Sequence, residues 1–186
     1  MEPGDLFLPA VLLSIERFAY AWIHRRPATY AALCERVGLG DPVDALQRLF
    51  VVFKGVQLVV FSAWCLRFGA ETGWPFNWAS PIGWAALALI LIGQILNVAV
   101  FLRLGRVGVF YGNRFGRPVE WSREFPYSVL DHPQYVGTVL SIWGLFLLLR
   151  HPHPDWFVLP LLETAYYVLG AFAERLPESE ATRAES

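Results

Sequence analysis

Residues 81–102 read PIGWAALALILIGQILNVAVFL, with no charged side chain and only Gln94 and Asn97 as strongly polar members. A helix needs about 20 consecutive apolar residues to cross the hydrocarbon core of a bilayer. Inside that core a helix is one of the few structures that satisfies its own backbone donors and acceptors. The stretch therefore predicts a membrane-spanning helix and sets the class of the chain. Working outward, four further apolar runs appear. Upstream lie Leu49–Leu66, which carries Lys54 and Gln57, and Leu6–Ile23, which is interrupted by Glu16 and Arg17. Downstream lie Tyr135–Leu149, uncharged but short, and Trp156–Ala173, which holds Glu163. Two prolines within His151–Asp155 place a sharp turn between the last two runs. The expected fold is an all-α polytopic membrane bundle of four to five hydrophobic helices, ending in a helical hairpin.

The first run decides between four and five. Glu16 and Arg17 point about 100° apart on a helix, so direct pairing is not expected and the run can lie partly in the interface. The positive-inside rule orients the layout. Arg25, Arg26, Arg36 and Arg48 fall in the loop 21–48, and Arg103, Arg106, Arg114, Arg117 and Arg123 in the loop 103–133. The shorter loops near 67–79 and 150–155 hold one arginine each. Both Arg-rich loops are thus expected on the cytoplasmic side, with the polar tail 175–186 beside them.

Composition agrees. The chain is 55% hydrophobic and 17% charged, against roughly 25% charged in soluble domains, and its mean hydropathy is +0.41. One domain over 1–186 suits the length. A net charge of -1 gives no global basic field of the kind nucleic-acid binders carry. Cys34 and Cys65 are too far apart for zinc-ligand spacing, so no metal site is expected. Two acids and no base over Met1–Asp5, with Glu16 and Arg17 following, argue against a cleaved signal peptide. Gly38-Leu39-Gly40 follows no strand and is not a nucleotide loop.

Chemistry-bearing residues concentrate between runs three and four. Gly105, Gly108, Gly112 and Gly116 alternate with Phe110, Tyr111, Phe115 and several arginines. Glycine lets backbone approach a ligand, and aromatic faces stack on adenine or on a cation. An ordinary interfacial loop whose arginines meet lipid phosphates has the same composition. The element Asp131-His132-Pro133-Gln134-Tyr135-Val136-Gly137 then opens run four. Proline suits a first helical turn, and Asp131 or His132 can cap it. An Asp-His pair at a membrane boundary can also accept a proton or hold an amine. Glu163, Tyr167, Gly170 and Glu174 share one helical face. A carboxylate deep in an apolar run is a functional-site hypothesis, beside the alternative of a buried interhelical hydrogen bond.

GVFYGNRFG, then FPYSVLDHPQYVG, then a hydrophobic hairpin closed by Glu174 resemble the phospholipid N-methyltransferases, within a wider group that includes the isoprenylcysteine carboxyl methyltransferases. The resemblance covers about Leu87 to Glu174, which it implies is a methyltransferase core. It implies S-adenosylmethionine as cofactor and a membrane lipid as substrate. The family's Gly-x-Gly falls on Leu91-Ile92-Gly93, where only the second glycine is present, and its Glu-Glu pair on Glu174-Arg175, where one carboxylate remains. Asp131 matches the phospholipid branch and His132 the isoprenylcysteine branch. The expected cofactor-binding set is Gly93, Gly108, Gly112, Gly116, Tyr135, Gly137 and Glu174. His132 and Asp131 are the expected proton acceptors, and Arg114, Arg117, Glu163 and Tyr167 the expected substrate contacts. Three readings stay open: a phospholipid N-methyltransferase, a methyltransferase with another acceptor, and a membrane scaffold without enzymatic activity.

Overall fold

A computed structural model of the chain describes residues 3–68 and 80–174. The polar tail over 175–186 and residues 69–79 of the loop after run two lie outside the described residues. The described residues are all helical apart from turns and loops: a 3-10 turn at Pro3–Leu6, then α1 (Phe7–Arg25), α2 (Pro27–Arg36), α3 (Pro42–Arg67), α4 (Pro81–Val109), a second 3-10 turn at Gly112–Phe115, α5 (Pro133–Arg150) and α6 (Val158–Glu174). Three segments are long and apolar enough to cross a membrane: Gly4–Arg25, Pro42–Arg67 and Pro81–Phe115. α5 and α6, with 18 and 17 residues, form the C-terminal hairpin.

The five apolar runs appear as α1 and α3 to α6, and α2 is a sixth helix within the first Arg-rich loop. It starts on Pro27 and buries Tyr30 and Cys34, one turn apart. Prolines also start α3, α4 and α5, where the missing N–H has no intrahelical partner to lose. α3 begins before its apolar run because Asp41 caps it, accepting from Val43 N at 3.0 Å and Asp44 N at 3.2 Å. α4 continues beyond its apolar run through a break at Gly105, whose φ of 61° favours glycine. His132 occupies the N-cap position of α5, but its side chain makes no capping hydrogen bond.

α5 lies closely along α4. A Cβ on Gly137 would stand 2.7 Å from Gly93 O, and one on Gly144 2.6 Å from Ala86 O. Small residues two turns apart on each helix thus let the backbones meet, which is how helices associate where lipid removes the hydrophobic drive. Apolar side chains such as Phe18, Val52, Leu66 and Leu169 point outward, as a lipid environment permits.

The two Arg-rich loops occupy the same end of the bundle and tie it together. Arg106 pairs with Asp44, Arg117 with Asp41, and Arg114 donates to His24 O from Nε at 3.2 Å and Nη2 at 3.0 Å. The C-terminus of α6 reaches this end too, where Arg25 Nε donates to Ala173 O at 3.2 Å. At the opposite end, Arg150 Nη2 contacts both oxygens of Asp155, at 2.6 and 2.7 Å. Trp64 Nε1 donates to Asp155 Oδ2 at 2.8 Å.

One expectation is overturned inside the bundle. Glu16 and Arg17 do form an ion pair, and both are buried in the bundle. Their Cα–Cβ directions diverge, but the arginine stem is long enough to fold back onto the carboxylate.

Candidate functional site

A cavity of about 950 Å³ is framed by α1, α3, α4, α5, α6 and the loops of the Arg-rich end. Its upper wall is built on Glu174, the last residue of α6. Tyr111 OH and Tyr135 OH both donate to Glu174 Oε1. The two tyrosines come from different elements, so α6 is fastened to α5 and to the start of the second 3-10 turn at one carboxylate oxygen. Tyr111 sits in the left-handed region, at φ 57° and ψ 31°. That conformation costs an L-residue roughly 1–2 kcal/mol, and the native packing holds it there: its ring stands edge-on to His24 at 5.4 Å and Tyr20 at 6.1 Å. His132 stacks on Tyr135 at 5.6 Å and 15°. Asp131, exposed, lines the same mouth. Burial pushes the Tyr127 hydroxyl, also on this wall, above its ordinary pKa, so it remains a neutral donor.

The deeper wall is charged. Lys54 Nζ lies 3.2 Å from Glu16 Oε1 and donates to Gln57 Oε1 at 3.1 Å and Tyr167 OH at 3.2 Å. The Arg17 guanidinium lies 4.0 Å from the centroid of the Tyr167 ring. Gln57 Nε2 in turn donates to Glu163 Oε1 at 2.7 Å. A chain of contacts therefore runs from α1 through α3 to α6. Across the cavity, Gln94 Nε2 donates to Ser141 Oγ at 2.9 Å.

The structure brings together five of the residues singled out from sequence: Asp131, His132, Tyr135, Tyr167 and Glu174 all line the cavity. Others lie elsewhere. Gly93 and Gly137 form the α4–α5 seam, with their faces against backbone. Gly108 packs on Leu104 and Val119, Gly112 on Val107, and Gly116 ends the 3-10 turn at φ 73°. Arg114 and Arg117 are engaged by His24 O and Asp41. Glu163 stands behind Gln57, off the wall. The residues that sequence reasoning passed over as site residues are Glu16, Arg17, Lys54 and Gln57, while Tyr111, noted there only as a loop aromatic, joins the wall through Glu174. The rule that singled out Glu163, that a charge inside an apolar run marks a site, applies equally to the first three. Among the described residues, no group of three or more His, Cys, Asp or Glu is placed to hold a metal ion.

Residues 82–176 match the family described as phospholipid methyltransferase, from the start of α4 to just past the end of α6. The chain belongs to that family. A phosphatidyl-N-methylethanolamine N-methyltransferase of Arabidopsis thaliana is 34% identical over 127 residues, which cover 66% of this chain and 67% of the plant protein. The phosphatidylethanolamine N-methyltransferases of Rattus norvegicus and Homo sapiens are 37% and 32% identical over 90 and 89 residues. Those matches cover 47% of this chain and 44% of each mammalian protein, so the chain spans under half the length of these two relatives. No solved structure matches it. Family membership and the three membrane-length helices together make it an integral membrane protein. The family match takes in Tyr111, Asp131, His132, Tyr135 and Glu174, whereas Glu16, Arg17, Lys54 and Gln57 come from helices outside it.

Proposed function

We propose that the protein methylates the amine of phosphatidylethanolamine, or of its mono- and dimethyl forms, toward phosphatidylcholine, with S-adenosylmethionine as methyl donor. The observation that carries this reading is Glu174 fixed by two tyrosine hydroxyls beside His132 and Asp131, on one cavity wall within the family-matched segment. We read residues 1–186 as one membrane domain with 87–174 as its catalytic core. The Arg-rich loops argue for a cavity mouth on the cytoplasmic side, where a polar cofactor arrives.

The wall suits this cofactor chemically. A carboxylate can bind ribose hydroxyls or face a sulfonium, and the Tyr135 and Tyr111 rings offer the negative aromatic faces that cations prefer. S-adenosylmethionine, where bound, would supply an electrophilic methyl carbon on a sulfonium leaving group. Glu174 and Tyr135 hold the donor side. Tyr167, edge-on to Tyr135 at 5.3 Å, shapes the cavity lining beside it. An ethanolamine head group is mostly an ammonium at neutral pH, so it must lose a proton before its nitrogen can attack. An imidazole nitrogen of His132 or a carboxylate oxygen of Asp131 takes that proton, directly or through water. The largely apolar lining limits water around the reacting atoms, and the cavity walls orient the in-line transfer.

The test is incorporation of radiolabelled methyl into lipid extracted from phosphatidylethanolamine liposomes carrying the purified protein. Label in methylated ethanolamine lipids is expected. His132→Ala should lower turnover by about a hundredfold or more while leaving the unfolding temperature in place. Full activity in that variant removes His132 from the reaction. Cofactor binding without labelled lipid points to another acceptor.

A further inference from the structure

We propose that Lys54, Arg17 and Tyr20 form an oxyanion site that takes the phosphodiester of the lipid substrate. The proposal rests on the methyltransferase reading above and names the part of the cavity that selects a phospholipid. Arg17 Nε and Tyr20 OH are buried and find no hydrogen-bond partner among the described residues, although both side chains line the cavity. Arg17 Nε can only donate, and a tyrosine hydroxyl donates as readily as it accepts. What this wall lacks is an acceptor, and a phosphate oxygen is one.

Charge points the same way. Two cations, Arg17 and Lys54, face this part of the cavity against one carboxylate, Glu16. Glu163 stands behind Gln57, and Glu174 is engaged by Tyr111 and Tyr135. The Lys54 side chain is 30% exposed, and that of Arg17 only 9%. An arriving anion therefore meets Lys54 first, with Arg17 and Tyr20 behind it. Arg114 and Arg117, first expected to hold phosphate, lie off the cavity lining, where they contact His24 O and Asp41.

An oxyanion can come from a lipid or from the carboxylate of the cofactor, and the surroundings of Lys54 favour the lipid. Leu58, one helical turn along α3, also lines the cavity and is 64% exposed. On α4, Val98 and Leu102 line it too and are 55% and 80% exposed. The wall is thus continuous from the Lys54 ammonium to an apolar outer surface between α3 and α4. An anion with acyl tails can lie along it, phosphate inward. A free polar anion gains nothing from that surface.

The experiment uses the full chain in nanodiscs. Lys54→Gln should raise KM for phosphatidylethanolamine about tenfold or more, the weight of a charge-assisted hydrogen bond. It should lower kcat less and leave the Kd for S-adenosylmethionine, read by calorimetry, in place. Lys54→Arg should recover most of the KM. Tyr20→Phe, which removes only an unpartnered hydroxyl, should raise KM about threefold without unfolding risk. A purely structural cluster would leave lipid KM unchanged in folded Lys54→Gln, which overturns the proposal. A rise in cofactor Kd with lipid KM unchanged also overturns it, and assigns the site to the cofactor carboxylate. A separate arm needs no turnover. Phosphatidylmethanol, a phospholipid anion without an amine, should bind the wild type by native mass spectrometry and lose that binding in Lys54→Gln. If methyl transfer itself fails, retained and Lys54-dependent phosphatidylmethanol binding upholds the anion site, and absent binding sinks it.

Discussion

Two arginines are buried at different depths of this bundle, and their surroundings differ. Arg150 closes α5 opposite Asp155, whose two oxygens both accept from its Nη2 while Trp64 adds a third hydrogen bond. Arg17 faces the Tyr167 ring and shares its one carboxylate, Glu16, with Lys54. Neither Arg150 nor Asp155 lines the cavity, whereas Arg17, Glu16 and Lys54 all do. Burying charge in an apolar medium is costly unless partners complete it. At the α5–α6 turn the carboxylate is fully used, and the charge fixes how the hairpin folds back. On the Arg17 side of the cavity one carboxylate serves two cations, and that shortfall is where an anion fits.

The largest effect expected tests the first half of this contrast. Asp155→Ala leaves the Arg150 guanidinium buried without its counter-ion, which should cost about 3–5 kcal/mol of stability. Thermal unfolding in detergent reads it directly. Methyl transfer per folded molecule should stay at the wild-type level, because the pair is remote from the cavity wall. A drop in activity per folded molecule would show that the hairpin turn and the cavity are coupled, and would break the contrast.

Much of the fold was legible because its signals are local. The apolar runs placed α1 and α3 to α6, and prolines 42, 81 and 133 mark three helix starts. The shared face of Glu163, Tyr167, Gly170 and Glu174 follows from helical periodicity, and Glu163, Tyr167 and Gly170 are buried along it. α2 escaped because ten residues with only Tyr30 and Cys34 buried make too faint a pattern beside the long runs. The candidate site was half legible for the opposite reason. Which partner an arginine finds depends on chain closure: Arg114 reaches His24, and Arg117 reaches Asp41, over separations that no spacing rule spans. The glycines drew attention as a ligand cradle, yet Gly93 and Gly137 serve the contact between two backbones, a demand with the same sequence signature. Tyr111 was legible only as one of three loop aromatics, since neither its left-handed backbone nor its bond to Glu174 has a spacing signal.

The second half of the contrast is sharpened by Tyr111→Phe. The variant keeps the ring against His24 and Tyr20 but withdraws one of two hydrogen bonds to Glu174. A hydrogen bond to a charged group is worth about 1.5–3 kcal/mol, and Tyr135 retains its own bond to the same oxygen. The expected result is a rise of about tenfold in the cofactor Kd at the low end of that range, with little change in unfolding temperature. Binding calorimetry and a melting curve on the same sample separate the two. A stability loss as large as that of Asp155→Ala, with cofactor affinity unchanged, would mean that this wall too is built for folding.

The smallest effect belongs to a pair outside both clusters. Burial raises the pKa of Asp41, but the Asp44 backbone N–H, the Arg117 guanidinium and the Val43 N–H outweigh it, holding the carboxyl below its ordinary value of 3.8. A lowered folded-state pKa adds stability that is complete above the unfolded pKa and is lost as pH falls through the folded one. Asp41→Asn isolates this charge, because asparagine caps a helix about as well as aspartate. The side chains are 28% and 43% exposed, so solvent screens the pair and the difference from wild type at neutral pH should be about 0.5 kcal/mol. It should shrink toward zero as pH falls below the ordinary carboxyl value and through the lowered folded-state one, and in high salt at neutral pH. Urea titrations of both proteins across that range measure it. A difference that instead grows in acid would mean that Asp41 stabilises its helix as a neutral group, and that Arg117 is free to meet phosphate after all.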